Sequence, residues 1–464
     1  MARLRQLISS PFARSTVTLQ VGVGAGMVVQ AVAGILLARW LGPELFGQYA
    51  LAFSVAAIGS VLLGAGAFDG LIPYVARAWH GGKGIGGRDE GVEREEIREM
   101  LAFLAKFVLL AGALALFVGL LMPWITAHAY GSGAIGWYAF AILAAAAVST
   151  TFFEFGKLAA QVTGRIRALS LLTFGDQALR FSWVLGLVLA GAGVLGAAMG
   201  HLFGTLTLAV FAALVWHRIS ESTKSEYRNS KQIQNSNIET PSAWPSISEV
   251  VYVAKGASIR RYLADTLWVL GDRNLAMLFA ALPVALTGLF VTSVEVAYLK
   301  VAFGYITLAM SVMTPMSILL NSRFPEIQAT RPDRLRREFM RVTGSAVLLT
   351  GVTTVFVVVL APWVFRFLYG PAYDAAVPYA QLFAVHGILF GLGVALGPMW
   401  RALGKVRVSI FINLITLGAG IPLGIFFIRG WGVAGAVGMI TLWYLVSHGA
   451  SFVYLTRALG NSKS

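Results

Sequence analysis

Five ionisable residues crowd positions 260–273 of an otherwise lipid-like sequence: Arg260, Arg261, Asp265, Asp272 and Arg273. With a span set at 250–275, the first three fall near mid-membrane and the last two toward its outer end. A charge at bilayer centre costs about 2.5–3.5 kcal/mol on insertion scales, so it must line water, pair, or bind something. Arg261, Asp265, Trp268 and Asp272 recur at i, i+4, i+7 and i+11, one face of a helix. That stripe belongs on a wet cavity or between two lobes. A second mid-depth pair, Asp176 and Arg180, sits at i, i+4, and Lys300 adds another cation. Arg260, Arg261, Arg180 and Lys300 are therefore the candidate ligand-binding cations. The Arg261/Asp265 and Asp176/Arg180 pairs equally suit closure within their own helices. Arg260 has no partner on its own helix, and a net-positive chamber suits a polyanion.

The elements that must position these charges are membrane spans. Hydrophobic residues make up 57% of the chain and charged residues 12%, with mean hydropathy +0.74. Residues 342–361 carry no charge, and about 20 residues at 1.5 Å rise cross a hydrocarbon core. Twelve spans are expected, at 16–39, 45–68, 101–122, 134–156, 169–190, 194–216, 250–275, 291–320, 342–361, 377–400, 408–428 and 434–455. They must be helices, because lipid offers the backbone no hydrogen-bond partners. The apolar run after Arg3, Arg5 and Arg14 is too long for a signal-peptide core and reads as the first span.

The chain repeats itself. Pro123-Trp124…Tyr130-Gly131 returns as Pro362-Trp363…Tyr369-Gly370, an offset of 239. Gly164-Arg165-Ile166-Arg167 returns as Gly404-Lys405-Val406-Arg407, offset 240. Gly193-Val194-Leu195-Gly196-Ala197 returns as Gly432-Val433-Ala434-Gly435-Ala436, offset 239, and Gly47 matches Gly288 at 241. Duplicated hydrophobic halves mark secondary transporters. Six spans per half make the repeats parallel. The domains are then a six-helix lobe at 1–218, a polar cytoplasmic linker at 219–249 rich in Ser and Asn, and a second lobe at 250–464. Subtracting the offset places Leu19 and Gln20 opposite Arg260 and Arg261, so charge was added to one lobe alone.

The net charge of +15 follows from orientation. Basic residues collect in the loops of one face, while the other holds only Arg39, Arg366 and Arg429. The positive-inside pattern puts both termini in the cytoplasm, and nucleic acid is not a partner. The loop 69–99 is cytoplasmic, with Glu93–Arg98 forming a short surface helix before span 3. With no cysteine, disulfides and thiolate metal sites are excluded. Gly22-x-Gly24 and Gly82-Lys83-Gly84 complete no nucleotide-binding spacing. No catalytic or metal motif stands out, so no cofactor is expected. Three intramembrane histidines, His201, His386 and His448, are suited to relaying a proton, although a ring satisfied by a neighbouring carbonyl is the simpler reading. Asp69, Glu154 and Lys157 read as interfacial residues near span ends. Small residues such as Gly22, Gly24 and Gly26 allow close helix approach.

Four stretches resemble the Wzx-type oligosaccharide flippase family, within the multidrug/oligosaccharidyl-lipid/polysaccharide exporter superfamily. They are Ala38-Arg39-Trp40-Leu41-Gly42-Pro43-Glu44-Leu45-Phe46-Gly47-Gln48-Tyr49, Asp272-Arg273, Leu368-Tyr369-Gly370-Pro371-Ala372-Tyr373-Asp374-Ala375-Ala376, and Ala402–Arg407 with Gly432–Ala436. Relatives often carry an arginine where this chain has Pro73, so no role passes to that position. The resemblance implies two six-helix lobes about a central cavity in the bacterial inner membrane, alternately open to either side. It implies a polyprenyl-pyrophosphate-linked oligosaccharide moved to the outer leaflet for O-antigen, lipopolysaccharide or exopolysaccharide synthesis, with no bond made or broken. Membrane lipids, polysaccharide polymerase and export machinery are the implied partners. An H⁺ or Na⁺ gradient would drive the cycle through Asp265, Asp176 or Asp272. A cation-coupled multidrug antiporter of the same superfamily is the nearest alternative and would favour an acidic cavity. A flippase for the peptidoglycan precursor would carry additional spans. A membrane polymerase or glycosyltransferase would show a long outer loop or an acidic catalytic pair.

Overall fold

A computed structural model describes residues 11–64, 66–80, 90–232, 244–254 and 260–461. Among these residues the chain is helical throughout, with no strand. In order, the helices are α1 Pro11–Ser60, α2 Gly66–His80, α3 Glu90–Gly119, α4 Met122–Tyr130, α5 Gly133–Val148, α6 Glu154–Val162, α7 Ile166–Leu187 and α8 Gly193–Gln232. They continue with α9 Ile247–Ala254, α10 Arg260–Thr287, α11 Ser293–Met310, α12 Thr314–Thr330, α13 Pro332–Leu368, α14 Val377–Leu382, α15 Ala384–Ala402 and α16 Val406–Asn461.

Eight runs among the described residues are long and apolar enough to cross a membrane, or nine with the bent pair Pro371–Leu382 and Ala384–Ala402. Three of them, Val17–Leu63, Ile166–Ser225 and Val406–Gly460, are 47, 60 and 55 residues long, over twice what one crossing needs. Each is broken at glycine: Gly42 (φ 71°, ψ 170°) in α1, Gly191 and Gly193 between α7 and α8, and Gly432 in α16. Counting each broken run twice recovers the twelve expected crossings. The breaks also respect the repeat. Gly193 (φ 54°, ψ −138°) and Gly432 (φ 54°, ψ −129°) share one unusual backbone conformation. Gly164 and Gly404 (φ 71° and 64°) and Gly131 and Gly370 (φ 68° and 90°) are likewise left-handed pairs. Only glycine enters these regions without steric cost.

The chain forms two compact units. The first comprises Met1–Ala33, Gly59–Ile125 and Gly136–Asn274; the second comprises Gly34–Ile58, Thr126–Ile135 and Leu275–Ser464. A core of Phe68, Phe103, Phe153, Trp216 and Trp244 fills the first, and Phe324, Phe339, Met399, Trp400 and Leu455 fill the second. Packing within each follows membrane rules, with small residues inside and large apolar ones outside. On α13, Thr343, Ala346, Thr350 and Thr354 are buried while Leu348, Val352, Val355, Phe356 and Val359 stand more than half exposed. Facing them on α15, a Cβ at Gly387 or Gly391 would lie 2.4 Å from the Thr354 or Thr350 hydroxyl. In the first unit, Gly200 and Gly204 of α8 let the backbone of α7 approach at Val184 and Arg180. A Cβ at Gly22 would meet Ser170, and one at Gly26 would meet Gln177, whereas nothing lies near Gly24. In the second unit, Tyr130 Oη donates to Ala285 O at 3.0 Å. Burial pushes that hydroxyl up to about 12, so it remains a donor at neutral pH.

Three boundaries differ from expectation. The loop 69–99 is helical on both sides of residues 81–89, which lie outside the description; α2 runs to His80, and Glu93–Arg98 belongs to the first turns of α3. The linker 219–249 begins as helix, since α8 continues unbroken to Gln232. Trp244 then inserts between Trp79 and Trp216, with ring centroids 5.4 and 5.5 Å away. Thr223 Oγ1 accepts from its backbone N–H, and Ser220 donates to its carbonyl. Polar composition did not reveal this buried anchor. Lastly, the seventh span extends beyond 275: α10 continues to Thr287, with its apolar stretch at Thr266–Thr287. Residues 247–254 form the helix α9, held to α3 by Arg98–Glu249 at 2.8 Å, and α10 is described from Arg260 onward, residues 255–259 lying outside the description.

Candidate functional site

Within α10 the apolar stretch Thr266–Thr287 puts Asp272 and Arg273 inside the span, with Arg260 and Arg261 before it. The side chains of Arg260, Arg261 and Asp265 lie outside the described residues. At mid-helix, Arg273 Nη1 donates to Asp69 Oδ2 at 2.7 Å, and its Nη2 lies 3.7 Å from Glu154 Oε1. Lys157 Nζ closes on the other Glu154 oxygen at 3.1 Å. Asp69, Glu154 and Lys157 are therefore members of one charge cluster around Arg273, and Glu154 is only 8% exposed. Its formal charges cancel, which is how ionic groups persist away from water. Asn274 Nδ2 donates to Val61 O at 3.0 Å, supplying a donor where the chain breaks between α1 and α2. Gly66 and Gly70 bring α2 against Leu270 and Thr266 of α10. The sequence signal available was Glu154 itself, an acid within the apolar run Thr150–Phe155. The five-residue π-helical turn Ser149–Phe153, which sets its direction, leaves no such trace.

Asp176 and Arg180 form an intrahelical ion pair on α7. Gln177 also donates to Asp176, at 2.7 Å. Arg180 thus brings its own counterion, and Asp176 is saturated by two donors.

Lys300 differs. It is the eighth residue of the 18-residue α11, and its Nζ lies 5.6 Å from the centroid of the Phe53 ring. No carboxylate pairs with it among the described residues. Cation–π contact offsets only part of the cost of removing an ammonium from water. An anion placed there would gain a charge-assisted partner. His201 is buried in the first unit beside Phe181. His386 and His448 stand together in the second, on either side of the Tyr444 ring.

No protein-family model matches this chain, and no curated protein does. Solved structures do match over nearly the full length. An inward-facing multidrug resistance MATE family transporter of the MOP superfamily aligns with TM-score 0.73 at 16% identity, covering 95% of this chain and 96% of the other. The lipid II flippase MurJ, in an inward closed conformation, aligns at 0.67 and 10% identity over 94% and 87%. A eukaryotic MATE transporter aligns at 0.63 and 17% identity over 97% and 99%. The chain is thus a multi-pass membrane protein with the fold of these transporters.

Proposed function

We propose that this protein is a flippase that carries an anionic lipid-linked oligosaccharide, of the polyprenyl-pyrophosphate type, across the bacterial inner membrane with its termini in the cytoplasm. The observation that carries the reading is an imbalance among the charges borne on the helices. Asp69, Glu154 and Asp176 are each matched by Arg273, Lys157 or Arg180, whereas Lys300 has no ionic partner among the described residues. A pocket for cationic drugs would show the reverse, an acid left without its base. Pyrophosphate cannot cross hydrocarbon unaided, while a polyprenyl tail remains in lipid throughout. Lys300 would replace part of the water stripped from the phosphates. Arg180 contributes less, since Asp176 already neutralises it. The likeness to MurJ supports lipid-linked cargo, and the likeness to MATE transporters keeps a drug antiporter as the competing outcome.

The test is transport by the purified full chain in proteoliposomes. A fluorescent polyprenyl-pyrophosphate sugar should move between leaflets, and a cationic dye should not. Lys300→Gln should slow the lipid probe about tenfold or more, the equivalent of losing one charge-assisted hydrogen bond of about 1.5–3 kcal/mol. Arg260→Ala with Arg261→Ala should also lose transport at normal protein levels. Dye movement without lipid movement would overturn the reading.

A further inference from the structure

The second unit holds two histidines that packing alone does not explain. His386 on α15 is 2% exposed, with the Phe303, Phe383 and Tyr444 rings at centroid distances of 5.7, 5.7 and 4.5 Å. Tyr444 stands at 81° to it and at 81° to His448, whose centroid is 5.1 Å away. One tyrosine ring therefore bridges the two imidazoles. Nδ1 of His386 and Nδ1 of His448 are both buried without a hydrogen-bond partner. An imidazole nitrogen either bears a proton or offers a lone pair, so each of these atoms can give up or take a proton. Gly393 makes room for this ring, since a Cβ there would lie 2.6 Å from Cε1 and 3.1 Å from Nδ1.

A buried polar atom left without a partner is costly, and a phenylalanine would fill either place without that cost. A nitrogen able to take or give a proton is what a histidine adds. Titratable groups on the surrounding elements include Tyr444 itself and, on α11, Glu295, Tyr298, Lys300 and Tyr305. Among the described residues no carboxylate pairs with either ring, so nothing holds an imidazolium permanently. A single proton is the smallest ligand that an unpartnered nitrogen within aromatic walls can take, and π faces favour a cation beside them.

We propose that His386 and His448 form a proton-binding site in the second unit, loaded and emptied once per transport cycle. The proton comes from bulk water, converts one Nδ1 lone pair into an N–H bond, and returns to water on release. No other bond changes. The site needs the transporter reading only for the meaning of its cycle; its protonation is independent of cargo.

The experiment uses the full chain, ¹⁵N-labelled at its six histidines, in lipid nanodiscs. His386→Gln and His448→Gln assign the two resonances. Both should titrate, and each substitution should displace the titration of the remaining ring. In pyranine-loaded proteoliposomes under an imposed potential, the double variant should lose proton flux at least tenfold while keeping its melting temperature. Rings locked in one tautomer across the titration, or undiminished flux in the double variant, would overturn the site. If the variants do not fold, the wild-type titration decides alone. Loss of lipid transport with the titration intact would refute the cargo and leave this site standing.

Discussion

Charge placement at single residues separates structure from function in this protein. Asp176 and Arg180 satisfy each other on one helix, and both side chains are mostly buried. Removing one partner strands the other charge, a loss of about 3–5 kcal/mol when such pairs are broken. Asp176→Asn or Arg180→Gln should therefore lower the melting temperature of the purified protein sharply. The double variant should recover most of the loss, because no charge remains to be stranded. Transport in the double variant should stay near wild type. A double variant that is stable yet inactive would return Asp176 and Arg180 to the cargo or coupling path. Lys300 makes the opposite expectation: its substitution should leave stability unchanged or raised, because no ion pair is lost.

Element breaks rather than element interiors carry the fold's definition. Gly193 and Gly432 occupy the same conformation half a chain apart, in a region that is nearly glycine-only and costs other residues about 1–3 kcal/mol. Gly193→Ala and Gly432→Ala should each destabilise by that amount, and the two losses should add, since the glycines lie in different units. Thermal unfolding of the two single variants and the double variant checks this; a neutral Gly432→Ala would mean that the break tolerates a side chain. These breaks were legible in the sequence because a repeat exposes them twice. The far end of the seventh span was not: α10 runs on to Thr287, past the expected 275, so Asp272 and Arg273 lie inside the apolar stretch Thr266–Thr287 rather than at its end. Residues 247–254 form α9, where Glu249 reaches Arg98 and Lys224, a long-range contact with no local signature. The grouping of Asp69, Glu154 and Lys157 around Arg273 likewise has no local signature. Candidate cations were readable from hydropathy, whereas their neutralisation depended on which helices meet.

For the whole molecule, the parity of the crossings is the property from which orientation follows. Six crossings separate the turn at Gly131 from its repeat at Gly370, so both turns must reach the same side. Both lie in the second unit, where Tyr373 Oη donates to Ala38 O and Arg39 Nη1 approaches Phe367 O at 3.5 Å. An inverted repeat would send them to opposite sides. The absence of native cysteine makes this directly measurable with single-cysteine variants and a membrane-impermeant maleimide. In intact cells Ser132→Cys and Asp374→Cys should both react, as residues beyond the outer ends of their spans. Ser225→Cys, exposed near the far end of α8, should react only after permeabilisation. That pattern follows from the excess of Arg and Lys at one face. Reaction of Ser225→Cys in intact cells would reverse the orientation while preserving the fold. Reaction of Ser132→Cys and Asp374→Cys from opposite sides would break the parallel repeat, and with it the count of twelve crossings.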